Sequence, residues 1–367
     1  MAIGFRNKVK VDLRSYPPYI LLAPKKFGKT TFWYNLVKEA WGDDERGLLI
    51  SCGQEEGYHS LDGLQVEVAK TWNDDFDEET GLRGFVQIVD DIVENNSEYQ
   101  LKGVCIDTLD TFIDIATKEV LRLSKKETGT PCKSLNDAFK GYGRGKARLL
   151  SICNEQIERL RNAGVAVFYL CHIKSKEKTD LKSGEVYEVI TNNLTEDIFN
   201  NFGDSAQMVM VGTYDRTITD KKIENEERVV YLRGTSDIDA GGRFSNLPEK
   251  IHLDPKEFLE AFEEAVKAEM KESINNKEMK EMIDEENTVR EKKAQIEKRK
   301  TANAKKIGKI DEGKNGNLIS IIKSKFPDAS DKTKAKIKEI MAEYDIPNFK
   351  TTEVSTNGLE EIVSLLQ

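Results

Sequence analysis

Residues 19–32 of the chain read YILLAPKKFGKTTF, and this stretch decides which fold the sequence can adopt. Its first five residues are apolar, which is the pattern of a short buried strand. Pro24 and Gly28 then favour a turn, and the triplet Gly-Lys-Thr stands where a helix begins. Backbone N–H groups and the dipole at a helix start hold phosphate oxygens. The stretch therefore predicts a strand, a phosphate-binding loop and a helix in direct succession.

The loop follows the pattern GxxxxGK[ST] except at its first position, where Ala23 replaces glycine. Alanine is small enough to permit the same turn. We expect Lys29 to contact the β- and γ-phosphates of ATP and the Thr30 hydroxyl to bind Mg²⁺. A chance match on a lysine-rich turn is the alternative. The residues expected to bind the nucleotide are Ala23, Pro24, Lys25, Lys26, Phe27, Gly28, Lys29, Thr30 and Thr31.

Two acidic segments follow apolar runs further along the chain. In LKGVCIDTLDTF, Asp107 ends an apolar strand and is the second expected Mg²⁺ group, although such an aspartate can equally cap the next helix. In ISCGQEEGYHS, two carboxylates follow a strand and are placed to orient a water on the γ-phosphate. Glu56 is the expected base and Glu55 its substitute, and ordinary surface acids are the alternative.

A histidine closes the longest apolar run, VAVFYLCHIK, at residues 165–174. His172 is expected at a strand end beside the loop strand, where a hydrogen-bond donor can sense the terminal phosphate. A purely structural histidine is the alternative. The three histidines lie far apart and show no metal-ligand spacing, so the sequence predicts no histidine-based metal centre.

Short apolar runs alternate with longer amphipathic stretches up to about residue 253, which predicts a mostly parallel sheet with right-handed crossovers. The two last runs, AQMVMVG and RVVYLRG, are expected to form a hairpin at one end of the sheet. The predicted strands cover residues 19–23, 47–51, 104–107 and 165–171, and the predicted helices open at Lys29, span 82–95, follow Thr111 and span 146–162.

The order of these motifs resembles the RecA-like ATPase core over roughly residues 16–254. More narrowly, it resembles the phage-encoded RecA-like proteins of the Sak-four group, which are associated with single-strand annealing and recombination. The resemblance implies ATP and Mg²⁺ as ligands, single-stranded DNA as partner, and a homo-oligomer with ATP at the subunit interfaces. A single-strand binding or annealing protein is a further implied partner. His172 stands where the bacterial recombinase has glutamine.

In such cores, two loops after the third and fourth strands face DNA, and here both are lysine-rich. The first spans residues 125–146 and places Tyr142 between glycines, where its ring can stack on a base. The second spans 174–182. Ordinary solvated surface is the alternative. The residues expected to contact nucleic acid are Lys140, Tyr142, Arg144, Lys146, Lys174, Lys176 and Lys178.

An arginine follows two glycines near the end of the core, in DIDAGGRFSNLPEKI. Arg243 is expected to be exposed, and an arginine presented across a subunit interface neutralises charge on the transferred phosphoryl group. Pairing with an acid of its own subunit is the alternative.

The composition changes after Pro255 to a Lys/Glu-rich stretch with sparse apolar residues. We therefore predict three parts: a RecA-like ATPase core at 1–254, a charged helical linker at 255–312 and a small helical C-terminal domain at 313–367.

A net charge of -9 argues against a generally basic protein that coats nucleic acid. No apolar run spans a bilayer, and five cysteines without CxxC spacing favour a cytoplasmic protein, in the bacterial host if a phage encodes it.

Two other classes of function remain open from the sequence. A nucleotide-switched oligomeric assembly module would use the same loop without acting on DNA. A small-molecule kinase would need an acceptor pocket and an arginine-bearing lid, and no segment of that kind stands out in the sequence.

Overall fold

The computed structural model describes residues 18–53, 57–73, 83–180, 182–219, 222–270, 276–307, 312–344, 346–352 and 354–366. Within these residues ten strands are formed: β1 (Tyr19–Ala23), β2 (Gly47–Cys52), β3 (Val66–Ala69), β4 (Gly103–Asp107), β5 (Ala166–Thr179), β6 (Val186–Asn192), β7 (Met208–Thr219), β8 (Lys222–Tyr231), β9 (Gly241–Gly242) and β10 (Lys250–His252).

Ten α-helices accompany the strands in the same described part of the chain: α1 (Lys29–Trp41), α2 (Phe85–Tyr99), α3 (Leu109–Thr128), α4 (Arg144–Asn162), α5 (Glu196–Ser205), α6 (Pro255–Glu269), α7 (Asn276–Ile307), α8 (Glu312–Lys325), α9 (Asp331–Glu343) and α10 (Thr356–Leu365). The alternation of strands and helices up to β7 confirms the predicted α/β fold.

The central strands run parallel in the order β7, β1, β5, β4, β2, β3, and β8 and β10 extend the β7 edge in antiparallel pairing. One strand, β5, thus separates β1 from β4. In the register of the sheet, Ala23 is level with His172, and Asp107 is level with Ser51. Because parallel strands run in one direction, the C-terminal ends of β1, β2 and β4 lie at the same end of the sheet, level with Leu170 to His172 of β5.

Helices cover both faces of the sheet. Ile20 and Leu22 of β1 belong to a fully buried cluster that includes Phe85 of α2 and Phe112 of α3. The residue between them, Leu21, belongs to the cluster on the other face, together with α1. Successive strand side chains point to opposite faces. Burial of both faces therefore explains why β1 is apolar at every position.

The structure differs from the predicted second basic loop. Residues 174–179 continue β5 and pair in antiparallel register with β6, from Ile173 with Asn192 to Thr179 with Val186. The predictions of a strand end at His172 and of a loop beginning at Lys174 were therefore wrong, because the apolar run ending at Cys171 marks only the buried part of the strand. Strands β3, β6, β9 and β10 were not predicted from the sequence. The predicted hairpin of the last two runs is confirmed as β7 and β8.

The predicted linker begins with a helix that packs on the sheet. Phe258, Ala261, Ala265 and Val266 of α6 are all at most 8% exposed and lie in the same cluster as α1. The ring of Phe258 meets the ring of Phe32 edge-on, with 6.0 Å between the ring centroids. Helix α6 therefore differs from the expected solvated tether, and the compact first unit extends to residue 294.

Residues 295–367 form a second compact unit. Its helices α8, α9 and α10 enclose a small core in which Ile322, Ile337 and Leu359 are fully buried. Asn315 is also fully buried, and its amide group donates hydrogen bonds of 2.8 Å to two backbone carbonyls, those of Thr352 and Val354. The C-terminal segment thus has a core of its own. None of the described helices is long and apolar enough to cross a membrane.

Helix α6 is expected to be needed for a stable ATPase unit. A fragment of residues 1–254 exposes the face of α1 that Phe258 covers, whereas a fragment of residues 1–270 retains this contact. We expect the longer fragment to melt cooperatively at a clearly higher temperature, as measured by circular dichroism. In the whole chain, Phe258→Ala should lower the free energy of unfolding by about 3 kcal/mol, and Glu260→Ala, at an exposed position of α6, should leave it unchanged. Equal melting temperatures for the two fragments would contradict this role.

Candidate nucleotide-binding site

The phosphate-binding loop is anchored by a buried aromatic ring. Phe27 is fully buried, and its ring meets that of Tyr214 in β7 edge-on with 5.4 Å between the centroids. A Cβ atom at Gly212 would lie only 2.5 Å from the Phe27 ring, so the close approach of the loop to β7 requires glycine there. The flanking Lys25 and Lys26 are exposed. Burial of Phe27 therefore fixes the loop between the end of β1 and the start of α1.

Gly28 completes the turn into α1. Its φ is 106°, in the left-handed region that residues with a Cβ atom rarely adopt, and it is the residue that precedes the first helical residue. Gly28 has no side chain, so it cannot cap the first N–H groups of α1, which lie at the positive end of the helix dipole. This geometry suits an anion such as the phosphates of a nucleotide.

Lys29 places a cation over the same loop. Its side chain is only 7% exposed, and its Nζ donates hydrogen bonds to the carbonyl oxygens of Ala23, at 3.2 Å, and Pro24, at 3.0 Å. The ammonium group is thus held by the loop itself. A lysine whose charge is oriented by main-chain carbonyls can neutralise phosphate charge without packing any part of the core.

The expected metal-binding pair is brought together by the sheet. Thr30 Oγ1 donates a hydrogen bond of 3.0 Å to Asp107 Oδ2, and Asp107 is the last residue of β4 and 7% exposed. A hydroxyl and a carboxylate are oxygen ligands of the kind that Mg²⁺ prefers. The two side chains therefore fit a Mg²⁺ ion carried by a nucleotide. An ion held there would neutralise charge on the phosphates of the nucleotide.

His172 is held by an acid that the sequence analysis did not single out. The Asp110 carboxylate in the first turn of α3 accepts a hydrogen bond from the His172 backbone N–H at 3.0 Å, and His172 Nδ1 lies 3.3 Å from the same oxygen. Burial raises the pKa of Asp110, but the hydrogen bonds from His172 outweigh this effect and leave the pKa below its usual value. In the sequence, this contact is signalled only by Asp110 itself, the second aspartate of the segment DTLD at residues 107–110.

Arg243 lies near the N-terminal ends of β7 and β1, whereas the phosphate loop follows the C-terminal end of β1. Strand β9 pairs Gly242 with Met208, the first residue of β7, whereas the loop follows the last residue of β1. The guanidinium donates to two carbonyls at the end of α5, those of Ala206 at 3.1 Å and Asp204 at 2.6 Å. The structure therefore does not bring Arg243 to the phosphate loop of its own chain, and its role toward a neighbouring subunit stays a prediction.

The predicted base lies outside the described residues. Neither Glu55 nor Glu56 is among them: the described residues stop at Gly53, one residue after β2, and resume at Gly57. Strand β2 ends at the same edge as β4, because Ser51 is level with Asp107. The assignment of Glu56 as the base and Glu55 as its substitute stays a prediction.

The predicted nucleic-acid contacts divide into paired and exposed side chains. The Lys146 ammonium bonds to Asp197, and the Lys178 ammonium lies 3.6 Å from Asp239. Lys176 donates to the carbonyl of Leu194 at 2.8 Å. The remaining four are exposed and make no side-chain hydrogen bond or ion pair with the described residues: Lys140, Tyr142, Arg144 and Lys174.

The loop, the helix start and the Thr30–Asp107 contact together define a P-loop nucleotide-binding protein, with one strand between the loop strand and the metal-binding aspartate. A family comparison agrees with this class: the AAA domain matches residues 16–244, more than half of the chain. The chain therefore belongs to the AAA domain family, whose general activity is the binding and hydrolysis of nucleotides. None of the curated proteins matches the chain.

Replacing the loop lysine should remove nucleotide binding without unfolding the protein. We expect Lys29→Ala to abolish measurable ATP binding and turnover, because the variant loses the cation that the loop carbonyls orient. The measurement is calorimetric titration with ATP, with circular dichroism as the check on folding. The matched control is Lys38→Ala, which removes a charge from the other end of α1. Wild-type turnover by folded Lys29→Ala would contradict the assignment of the loop.

Proposed function

We propose that this protein is an ATPase that binds ATP with Mg²⁺ at the P-loop and acts on single-stranded DNA in recombination, annealing or repair. The proposal extends the general activity of the AAA domain family with the narrower resemblance to the phage-encoded Sak-four group. The observation that carries the ATPase part is the hydrogen bond between Thr30 and Asp107 beside the Lys29 ammonium. This bond brings two oxygen groups of the kind that Mg²⁺ prefers next to the Lys29 ammonium at the start of α1, which supports the proposal.

Each residue of the site has a distinct task in this proposal. Lys29 and the start of α1 hold the phosphates, and Thr30 and Asp107 hold the Mg²⁺ ion. Glu56 orients the attacking water and accepts its proton. His172 responds to the terminal phosphate while Asp110 fixes its position. Because β5 continues without interruption from His172 to Thr179, a shift at His172 would reach the exposed part of the β5–β6 hairpin.

The base assignment predicts a specific loss of turnover. Glu56→Gln should leave ATP affinity close to the wild-type value and reduce hydrolysis by about a hundredfold or more, the usual contribution of a positioned base. The measurement is phosphate release at saturating ATP, with ATP affinity determined in parallel. Glu55→Gln is the matched control and should retain most of the activity. The reverse result would shift the base to Glu55, and full activity of both variants would favour the assembly-module alternative.

The segment before α4 supports the nucleic-acid part. Five consecutive residues, Phe139 to Gly143, have φ values between 54° and 84°. Three of them are not glycine, and such residues cost about 1–3 kcal/mol each in the left-handed region. Tyr142 is 96% exposed, so its ring contributes nothing to packing that would offset this strain. A strained loop that presents an aromatic ring to solvent suits base stacking.

Two exposed cations, Lys140 and Arg144, lie two residues before and after Tyr142 in the chain. Lys146 and Lys176 both reach the start of α5: one bonds to Asp197 in its first turn, and the other to the carbonyl of Leu194, two residues before it. The start of α4 and the hairpin are therefore neighbours. This adjacency favours one surface for a strand of DNA over two separate patches. Oligomers with ATP at the subunit interfaces, and a single-strand binding or annealing protein as partner, belong to the same proposal.

The DNA surface is tested by a salt series. Anisotropy of a labelled oligonucleotide should show tighter binding with a non-hydrolysable ATP analogue than with ADP, and weaker binding of duplex DNA. Changing Lys140, Arg144 and Lys174 together to alanine should lower both the affinity and the salt slope, by about 0.7 per lost contact on a log–log plot. Tyr142→Ala should lower affinity with little change in slope, because stacking releases no counterions.

The control for this series removes three cations that are paired with acids elsewhere on the first unit, by changing Lys38, Lys256 and Lys267 together to alanine. This variant has the same net charge as the test variant and should bind DNA like the wild type. Absence of binding at low salt with the ATP analogue would contradict the DNA part of the proposal and favour the nucleotide-switched assembly module.

A further inference from the structure

An arginine outside the sequence motifs lies against the phosphate loop. Arg228 is in β8, directly opposite Tyr214 of β7. Its Nη1 lies 3.5 Å from the point that a Cβ atom on Gly28 would occupy. The guanidinium therefore reaches Gly28, the residue just before α1 and 200 positions earlier in the chain. No element of the phosphate-loop pattern indicates an arginine at this place.

The Arg228 guanidinium is not paired with any of the described residues around it. Arg228 is an exposed residue, and its side chain makes no hydrogen bond or ion pair with any part of the chain that the structure describes. Arg83 of the same unit, by contrast, is paired with Glu67 and Asp91. A guanidinium presents five donors in a fixed fork that matches phosphate oxygens. Arg228 thus carries unused donors beside an anion-binding helix start.

The position of Arg228 distinguishes it from the metal-binding side of the site. Asp107 lies on one side of β1, beyond β5, whereas β7 and β8 lie on the other side. Asp107, which would hold Mg²⁺ together with Thr30, therefore reaches the loop from the β5 side of β1, whereas Arg228 reaches it from the β7 side.

We propose that Arg228 is a nucleotide-binding residue that contacts the phosphate chain from the side opposite the metal, and so holds ADP and ATP alike. This inference rests on the proposed ATP site and assigns a further contact within it. Its role is binding: it does not sense the γ-phosphate and does not bind the metal. The expected contribution is that of a charge-assisted hydrogen bond, about 10- to 100-fold in affinity.

The test compares nucleotide affinity in matched variants by calorimetric titration. Arg228→Ala and Arg228→Gln should each weaken ADP and a non-hydrolysable ATP analogue by about 10-fold or more, to a similar extent for both ligands. The loss of ADP affinity should persist in the presence of EDTA, because the contact does not depend on the metal. Arg228→Lys should recover part of the affinity. The control is Arg233→Ala, an equal change of charge two residues beyond the C-terminal end of β8, which should bind both nucleotides like the wild type.

The outcomes separate this inference from the function on which it rests. Wild-type ADP affinity in Arg228→Ala or Arg228→Gln, with melting curves showing folded protein, would overturn it while leaving the ATP site intact. A loss confined to the ATP analogue would also overturn it, since the arginine would then contact the γ-phosphate. Failure of the wild-type protein to bind either nucleotide would overturn the proposed function itself, and with it this contact.

Discussion

The hydrogen bond between Thr30 and Asp107 joins residues that are 77 positions apart in the chain, and the rest of the site is arranged around it. The bond forms only if β1 and β4 end at the same edge with β5 between them, which the parallel register provides. The same register brings His172 level with Ala23 and Ser51 level with Asp107. The phosphate loop, the Thr30–Asp107 pair and His172 therefore lie at one end of the parallel strands, in a sheet that is buried on both faces.

Packing of the loop explains why this edge is stable as a binding site. A loop that exposes main-chain donors to a ligand loses hydrogen bonds that would otherwise fix it, so another interaction must hold its shape. Here the Phe27 ring, buried against Gly212 and Tyr214, supplies that interaction. The two strands β7 and β8 thus have two tasks. They anchor the loop through an aromatic contact, and they carry Arg228 to the start of α1.

Whether a lysine of this protein can attract phosphate depends on the carboxylates near it. The chain is acidic as a whole, yet several of its lysines are neutralised by nearby carboxylates, as Lys146 is by Asp197 and Lys178 is by Asp239. Exposed ion pairs contribute little stability, but they remove cations from the set that can bind phosphate. Counting lysines in a segment therefore overestimates its attraction for nucleic acid. The exposed Lys140, Arg144 and Lys174 are the better measure, and only the folded chain distinguishes them from their paired neighbours.

The sequence by itself determined the elements whose signals are local. The apolar run before Pro24, the Gly-Lys-Thr triplet and the strand end at Asp107 predicted β1, the phosphate loop and β4, since strand periodicity and turn residues act over a few positions. The tertiary structure decided what depends on contacts distant in the chain: the continuation of β5 past Cys171, the packing of α6 on Phe32, the pairing of His172 with Asp110, and the approach of Arg228 to Gly28. Each of these contacts involves residues that are far apart in the sequence, and the residues adjacent to one partner do not predict the other. Burial and strand register, which are properties of the whole sheet, bring them together.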